Sequence, residues 1–334
     1  MDDEYLSLEQ LRKKTCTWGR ISIPTLVGSI ILLLLCAFIY SSPQKPSNLA
    51  LIWISLAGLL FGGIGVGVYI SQKTTFAEKL KTRYATRAAQ GLFEHFQYEP
   101  NKGIWEDDYI SLEFTNSGNS YKSEDYCSGY CKGIEFRMAD VHAGNSTKNS
   151  SEVYFNGQWI ELGYEQEAVM DLGGDILLVP RGFSSDTPYD RKRFVRWHTR
   201  RQRAETGDVL FDAAFYIFAS KQTNITYILT PDMKRRLTQM AAAHENQILF
   251  GFVNGRLYVL VNNNKDSLTY SVSEQIDEAE IIREFREDFS IVGQVIDELG
   301  LHDRTALPEF GEWEEETDNG PEGISEELVS LEMH

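Results

Sequence analysis

The side chains able to do chemistry are sparse in this sequence, and their spacing decides what each is fit for. Cys127 and Cys131 form a C-x3-C pair. Structural zinc takes four ligands, and the nearest histidine, His142, cannot complete such a set, so the pair reads as ordinary thiols. His95, His142, His198, His244, His302 and His334 are scattered without ligand spacing. Asp107-Asp108 and Glu124-Asp125 resemble paired carboxylates, but neighbours in a strand point to opposite faces. Both pairs adjoin turn-forming residues and read as solvated loops. No G-x-S-x-G elbow, phosphate-binding loop or dinucleotide fingerprint occurs. The residues therefore name no catalytic group, no metal and no cofactor.

Charge is more informative. The chain carries a formal net charge of −17. Against that background, residues 181–203 hold Arg181, Arg191, Lys192, Arg193, Arg196, Arg200, Arg201 and Arg203, with Phe194 and Trp197 interleaved. Three readings stay open: a solvated linker, a surface for anionic lipid, or a dock for an acidic protein. Basic residues near a membrane surface contribute about 1 kcal/mol each, and Trp favours the interface. Nucleic acid fits worst, because the surrounding negative charge repels phosphate. Residues 309–334 are the mirror image, with ten acidic residues and no Lys or Arg, the composition of a solvated tail.

These groups hang on a membrane anchor. Residues 21–40 and 49–70 are stretches of 20 and 22 residues without a charged side chain, and about 20 helical residues cross a bilayer core. Arg12, Lys13, Lys14 and Arg20 precede the first stretch, and Lys73, Lys79, Lys81, Arg83 and Arg87 follow the second. The loop between, residues 41–48, has only Lys45. The asymmetry predicts a hairpin with both termini cytoplasmic. Gly58, Gly62, Gly63 and Gly67 form overlapping small-xxx-small pairs, which pack either the first span or a second copy of the chain.

Beyond the anchor, residues 71–97 read as a stalk helix, with Phe76, Leu80, Tyr84, Ala88, Leu92 and Phe96 every four residues. Residues 98–180 read as a β-rich block, with strands at 109–114, 133–138, 153–155, 158–162 and 175–179. Asn156-Gly157 is expected to turn a hairpin. After the basic segment, residues 205–308 read as a second block: a strand at 225–229, a helix opened by Thr230-Pro231-Asp232, a hairpin at Asn254-Gly255, and an amphipathic helix within 273–299 closed by Gly300. The fold class implied is α+β, a transmembrane hairpin before a mainly antiparallel sheet with a few packed helices.

The ordered series Tyr98-x-Pro100, Tyr126 to Gly133, Phe155-Asn-Gly-Gln-Trp-Ile160, Tyr227-Ile-Leu-Thr-Pro231, Phe252-Val-Asn-Gly-Arg-Leu-Tyr258 and Ile296-Asp-Glu-Leu-Gly-Leu301 resembles the bacterial membrane-protein family catalogued as domain of unknown function number 3137. The likeness covers roughly Leu49 to Arg304. It implies a bacterial inner-membrane protein, sometimes encoded beside the LemA family, and supplies no catalytic residues. The function expected is a membrane-tethered interaction or regulatory protein. The alternative is a membrane-bound, hydrolase-like enzyme with an unfamiliar site.

Overall fold

The computed structural model describes residues 3–40, 50–115, 117–148, 150–163, 175–183, 201–220, 225–265, 267–268 and 270–301. Two long helices, α1 (Asp3–Tyr40) and α2 (Ala50–Ala89), lie antiparallel. Both are long and apolar enough to cross a membrane, and only 17% of each apolar window is buried. Leu34, Phe38, Trp53 and Phe61 instead expose their side chains around the hairpin, the arrangement of helices whose apolar surface meets lipid.

Past the apolar stretch, α2 continues without a break and changes its solvent. Phe76, Leu80, Tyr84, Ala85, Ala88 and Ala89 are all buried, and this stripe is part of the domain core. The stalk is shorter than the sequence suggests, since α2 ends at Ala89 and residues 94–99 form a strand. Gly91, at φ +77°, sits in the turn that stops the helix.

Among the described residues the domain is one nine-stranded sheet. Its strands are β1 (Glu94–Glu99), β2 (Ser120–Cys131), β3 (Ile134–Ser146), β4 (Ser151–Gly163), β5 (Ile176–Pro180), β6 (Arg201–Ala204), β7 (Phe215–Ser220), β8 (Ile248–Val253) and β9 (Arg256–Val261). The order is β1-β2-β3-β4-β9-β8-β5-β7-β6, and every pair of neighbouring strands is antiparallel. The two expected blocks thus share a single sheet, joined where β4 pairs with β9 and where β5 inserts between β8 and β7. The remaining helices are α3 (Glu106–Ser111), α4 (Val209–Ala214), α5 (Ile225–Ile228), α6 (Pro231–Ala243) and α7 (Glu278–Leu299).

Alternation assigns the faces. Leu257, Val259 and Val261 of β9 join the core beneath α2, α6 and α7, whereas Tyr258 and Leu260 join a second core with Tyr109, Leu112 and Phe114. The Phe114 ring lies on Gly251, where an added Cβ would come within 2.2 Å of it. A side chain at this point of β8 would lift the ring off the sheet.

Local chemistry explains the elements. Thr230 caps α6 by accepting from the Met233 N–H, and Pro231 begins that helix. Asp277 caps α7, and Gly300 closes it in the left-handed region. Asn254-Gly255 turns β8 into β9 with φ of 50° and 77°, values that suit a type I′ hairpin. Lys132-Gly133 turns β2 into β3 with φ of 54° and 79°, a hairpin that sequence reading did not mark.

Asn156-Gly157 makes no turn. It runs through the middle of β4, opposite His142 and Val141 of β3. The glycine answers a close approach instead, since a Cβ there would lie 2.1 Å from the Val261 carbonyl oxygen. Residues 109–114, expected as a strand, contain the end of α3, whose first turn holds Glu106, Asp107 and Asp108. Acidic residues there favour the positive helix end, and the alternating apolar pattern serves packing on the sheet. Residues 225–229, also expected as a strand, begin with the one-turn helix α5.

Candidate functional site: a cleft where the anchor meets the domain

The apolar stripe of α2 faces the domain core, which leaves Lys79, Arg83 and Arg87 on a neighbouring stripe at four-residue spacing. Opposite them stand Ser7 and Leu8 of α1 and the turn at Pro100-Asn101 after β1. Together they line a cleft of about 710 Å³, completed by Glu78, Thr82 and Thr86. Leu8 is buried against the core, and the N-terminal part of α1 reaches the segment before α7: Arg12 Nη1 donates to the Val272 carbonyl at 3.4 Å.

The cleft's charges are shared. Glu278, in the first turn of α7, takes Arg83 at 3.6 Å and Arg87 at 3.4 Å, one on each carboxylate oxygen. Tyr84 donates to the same carboxylate at 2.9 Å. Asn101 Nδ2 donates to Glu78 at 2.9 Å. Thr82 and Thr86 return their hydroxyls to the carbonyls of Glu78 and Thr82. Lys79 forms no ion pair among the described residues. The lining contains neither histidine nor cysteine. Of the three basic groups, Arg83 and Arg87 are engaged at the joint with α7, and Lys79 stands beside the solvent-open space.

Two further charged clusters tie elements together. Lys81 meets Asp125 of β2 at 2.5 Å, and Tyr98 of β1 donates to the other carboxylate oxygen. Burial pushes the Asp125 carboxyl above its ordinary value, and the Lys81 charge opposes that push. Asp125 was expected in a solvated loop; it is buried at the bulge where β2 shifts register. On the opposite sheet face, Arg256 binds Glu161 at 2.9 Å and Glu135 at 3.1 Å, with Arg137 beside both. Two cations balance two anions there, an arrangement that staples β3, β4 and β9.

Of the basic segment, Arg191, Lys192, Arg193, Arg196, Trp197 and Arg200 lie outside the described residues, as do residues 41–48 and 309–334. Arg201 is buried rather than presented to a partner. Its guanidinium donates to the Leu112 carbonyl at 2.8 Å and to Asp175 at 3.2 Å, with Glu113 at 3.8 Å. Arg203 is exposed, with its guanidinium 5.3 Å from the centre of the Tyr216 ring, which Arg181 also contacts at 4.4 Å. The glycine stripe divides as well. A Cβ at Gly58 would strike Ser29 and one at Gly62 the backbone of Leu26, whereas Gly63 and Gly67 have nothing within 4 Å. Cys127 and Cys131 are buried free thiols.

Residues 154–301, from β4 through α7, match the model of a family described as protein of unknown function (DUF3137). The likeness to the DUF3137 family is confined to that stretch, 148 of the 334 residues. The match begins later than the resemblance suggested, so Tyr98-x-Pro100 and Tyr126 to Gly133 fall outside it. No curated protein and no solved structure matches the chain. Within the DUF3137 stretch lie Glu278 and the whole of α7, while Lys79, Arg83 and Arg87 precede it. The cleft's lining lies outside the matched stretch, and Glu278 links that stretch to Arg83 and Arg87 of α2. Sequence reading missed Glu278 and Asp125 as partners of α2, since their contacts span 191 and 44 positions.

Proposed function

We propose that this protein is a membrane-tethered interaction or regulatory module, held by a two-helix hairpin with both termini in the cytoplasm of a bacterium. The observation that carries the reading is the continuity of α2. One uninterrupted helix is apolar and exposed over residues 50–70, and supplies the domain core with Phe76, Leu80, Tyr84 and Ala88. A domain joined through its own core cannot swivel on a linker. A displacement of the span moves the sheet with it, and tethering raises the domain's effective concentration for partners at the inner leaflet. The basic residues of 191–200 support an anionic lipid surface or an acidic protein as such a partner.

The test has two parts. Reporters fused after His334 and inserted in the loop at 41–48 report the sides of the membrane; a periplasmic signal from the His334 fusion removes the cytoplasmic reading. Crosslinking and capture of the intact protein from native membranes then identify proteins held at stoichiometric level. Absence of any such protein, together with turnover of a substrate by the purified chain, would replace the regulatory reading with an enzymatic one.

A further inference from the structure

The first strands of the sheet stand on end beside α2, so one end of them points at the bilayer. β1 begins five residues after α2 ends and returns alongside it, since Asn101, just past β1, donates to Glu78 at 2.9 Å. β1 therefore runs back toward the spans, and β2, its antiparallel neighbour, runs away from them. Lys81 fixes the height of β2 by meeting Asp125 at 2.5 Å. We infer that the β3–β4 turn around Lys148 rests on the phospholipid headgroups of the leaflet from which α2 emerges, a placement that depends on the reading of residues 50–70 as a span.

Two lengths set the height. Lys81 lies eleven residues past Ile70, so Asp125 stands roughly 16 Å above the hydrocarbon edge at about 1.5 Å per helical residue. Ser120 lies five residues back along β2, and at about 3.3 Å per strand residue the chain descends by roughly the same 16 Å. Inclining the strands by about 20–25°, one step of sheet twist, shortens that descent by only about 1–2 Å. Ser120 pairs with Gly144, Gly144 with Val153, and Ser146 with Ser151 beside the turn. This end of the sheet thus reaches the headgroup layer, which is about 5–8 Å deep. Lys132, past the other end of β2, stands roughly 23 Å higher than Asp125.

α1 holds the domain in this pose. An added Cβ at Gly19 would lie 2.8 Å from the Tyr69 ring, so the two spans end at similar heights. Arg12 Nη1 and Cys16 Sγ both donate to the Val272 carbonyl, at 3.4 and 3.1 Å. Cys16 is five residues before Ile21, which puts Val272 only roughly 8 Å above the edge. The domain is therefore gripped by both helices close to the bilayer.

The chemistry of this end suits phosphate. In a chain of net charge −17, residues 145–151 carry hydroxyl and amide side chains, Lys148 and no acid. Ser146, Thr147, Lys148 and Ser150 are exposed, and the Thr147 N–H closes the turn on the Ser150 carbonyl at 2.8 Å. Lysine near a membrane surface is drawn to anionic headgroups. Val153 and Trp105 are exposed by 43% and 77% at the same end, Trp105 following Ile104, whose N–H donates to Ser123. Tryptophan favours the interface between water and lipid.

The experiment uses the full-length protein in nanodiscs of phosphatidylcholine and phosphatidylglycerol, with a nitroxide quencher on the headgroups or on the acyl chains. An environment-sensitive fluorophore is placed at Val153→Cys, Trp105→Cys, Lys132→Cys or Ile64→Cys, one at a time, and the labelled wild type gives the background from Cys16. Headgroup quenching should fall in the order 153, 105, 132, with position 132 indistinguishable from background. Adding Lys148→Glu sets a carboxylate against the phosphates and should reduce quenching at 153. Ile64, in the span, should be quenched by the acyl-chain nitroxide. If 64 is quenched and 153 is not, the turn stands in solution or on another protein and docking is overturned while the span survives. Quenching at 153 that ignores Lys148→Glu overturns the phosphate contact. A label at 64 that escapes quenching removes the span and the docking with it.

Discussion

The phenol of Tyr84, fully buried on α2, donates a 2.9 Å hydrogen bond to the Glu278 carboxylate at the start of α7. The two residues are 194 positions apart, and their bond couples the helix that leaves the membrane to the helix that closes the family domain. Phenylalanine fits the same space at Tyr84, and Glu278 is open enough to take water instead. Tyr84→Phe should therefore cost about 1 kcal/mol, the usual net worth of such a bond. That corresponds to roughly 2–4 °C in the melting temperature of a domain this large. Thermal unfolding of the full chain in detergent is the measurement; an unchanged midpoint would show that the bond adds nothing.

The glycine stripe predicts opposite outcomes on its two sides. At Gly62 a Cβ would lie 2.8 Å from backbone atoms of Leu26, and backbone cannot step aside. Gly62→Leu should separate α1 from α2 and lower the melting temperature. Gly63→Leu and Gly67→Leu meet open space and should leave hairpin stability unchanged. If the second pair instead changes oligomer size on a detergent column, the open side is where two copies meet. Equal destabilisation by Gly62→Leu and Gly63→Leu would refute the division.

Arg201 and Arg203 belong to the same basic stretch and should behave differently. Arg201 is enclosed with Asp175 and Glu113, and removing one partner of a buried charge cluster costs about 3–5 kcal/mol. Arg201→Ala should approach that loss. Arg203 is exposed beside Tyr216, where a cation–π contact contributes about 0.5–1 kcal/mol. Chemical denaturation of both variants checks this, and losses of similar size would be the contrary result.

Asp125 gives a pH prediction with a definite sign. Its carboxyl is raised in the folded protein, chiefly by burial and against the pull of Lys81. A raised group holds its proton more tightly folded than unfolded. The stability it contributes is fully present below the unfolded carboxylate value of about 4, and is lost as pH rises through the folded value. Asp125→Asn should flatten that part of the stability profile. The variant also strands Lys81 and lowers stability at every pH, so the slope and not the level is the readout. A slope identical to wild type would sink the assignment.

Much of the architecture was legible in the chain alone, wherever the determinant is local. Two uncharged stretches of bilayer length need no tertiary information. The same holds for Thr230-Pro231 opening α6, Gly300 ending α7 and Asn254-Gly255 turning a hairpin, because each acts on its own backbone within a few residues. Asn156-Gly157 has the same composition and a different fate. Its backbone is claimed by β9, more than a hundred residues on, and a long-range ladder outweighs a local turn preference.

Residues 109–114 show the same override, since an alternating pattern serves a short helix equally well when one side rests on a sheet. The cleft was invisible for a related reason. The spacing of Lys79, Arg83 and Arg87 was readable as a basic flank of the second span, but nothing in it names Glu278, Asn101 or Ser7. Charge in a sequence is a property of residues; whether a charge is neutralised, buried like Arg201, or left open beside a cavity like Lys79 depends on groups that only chain folding brings within a few ångströms.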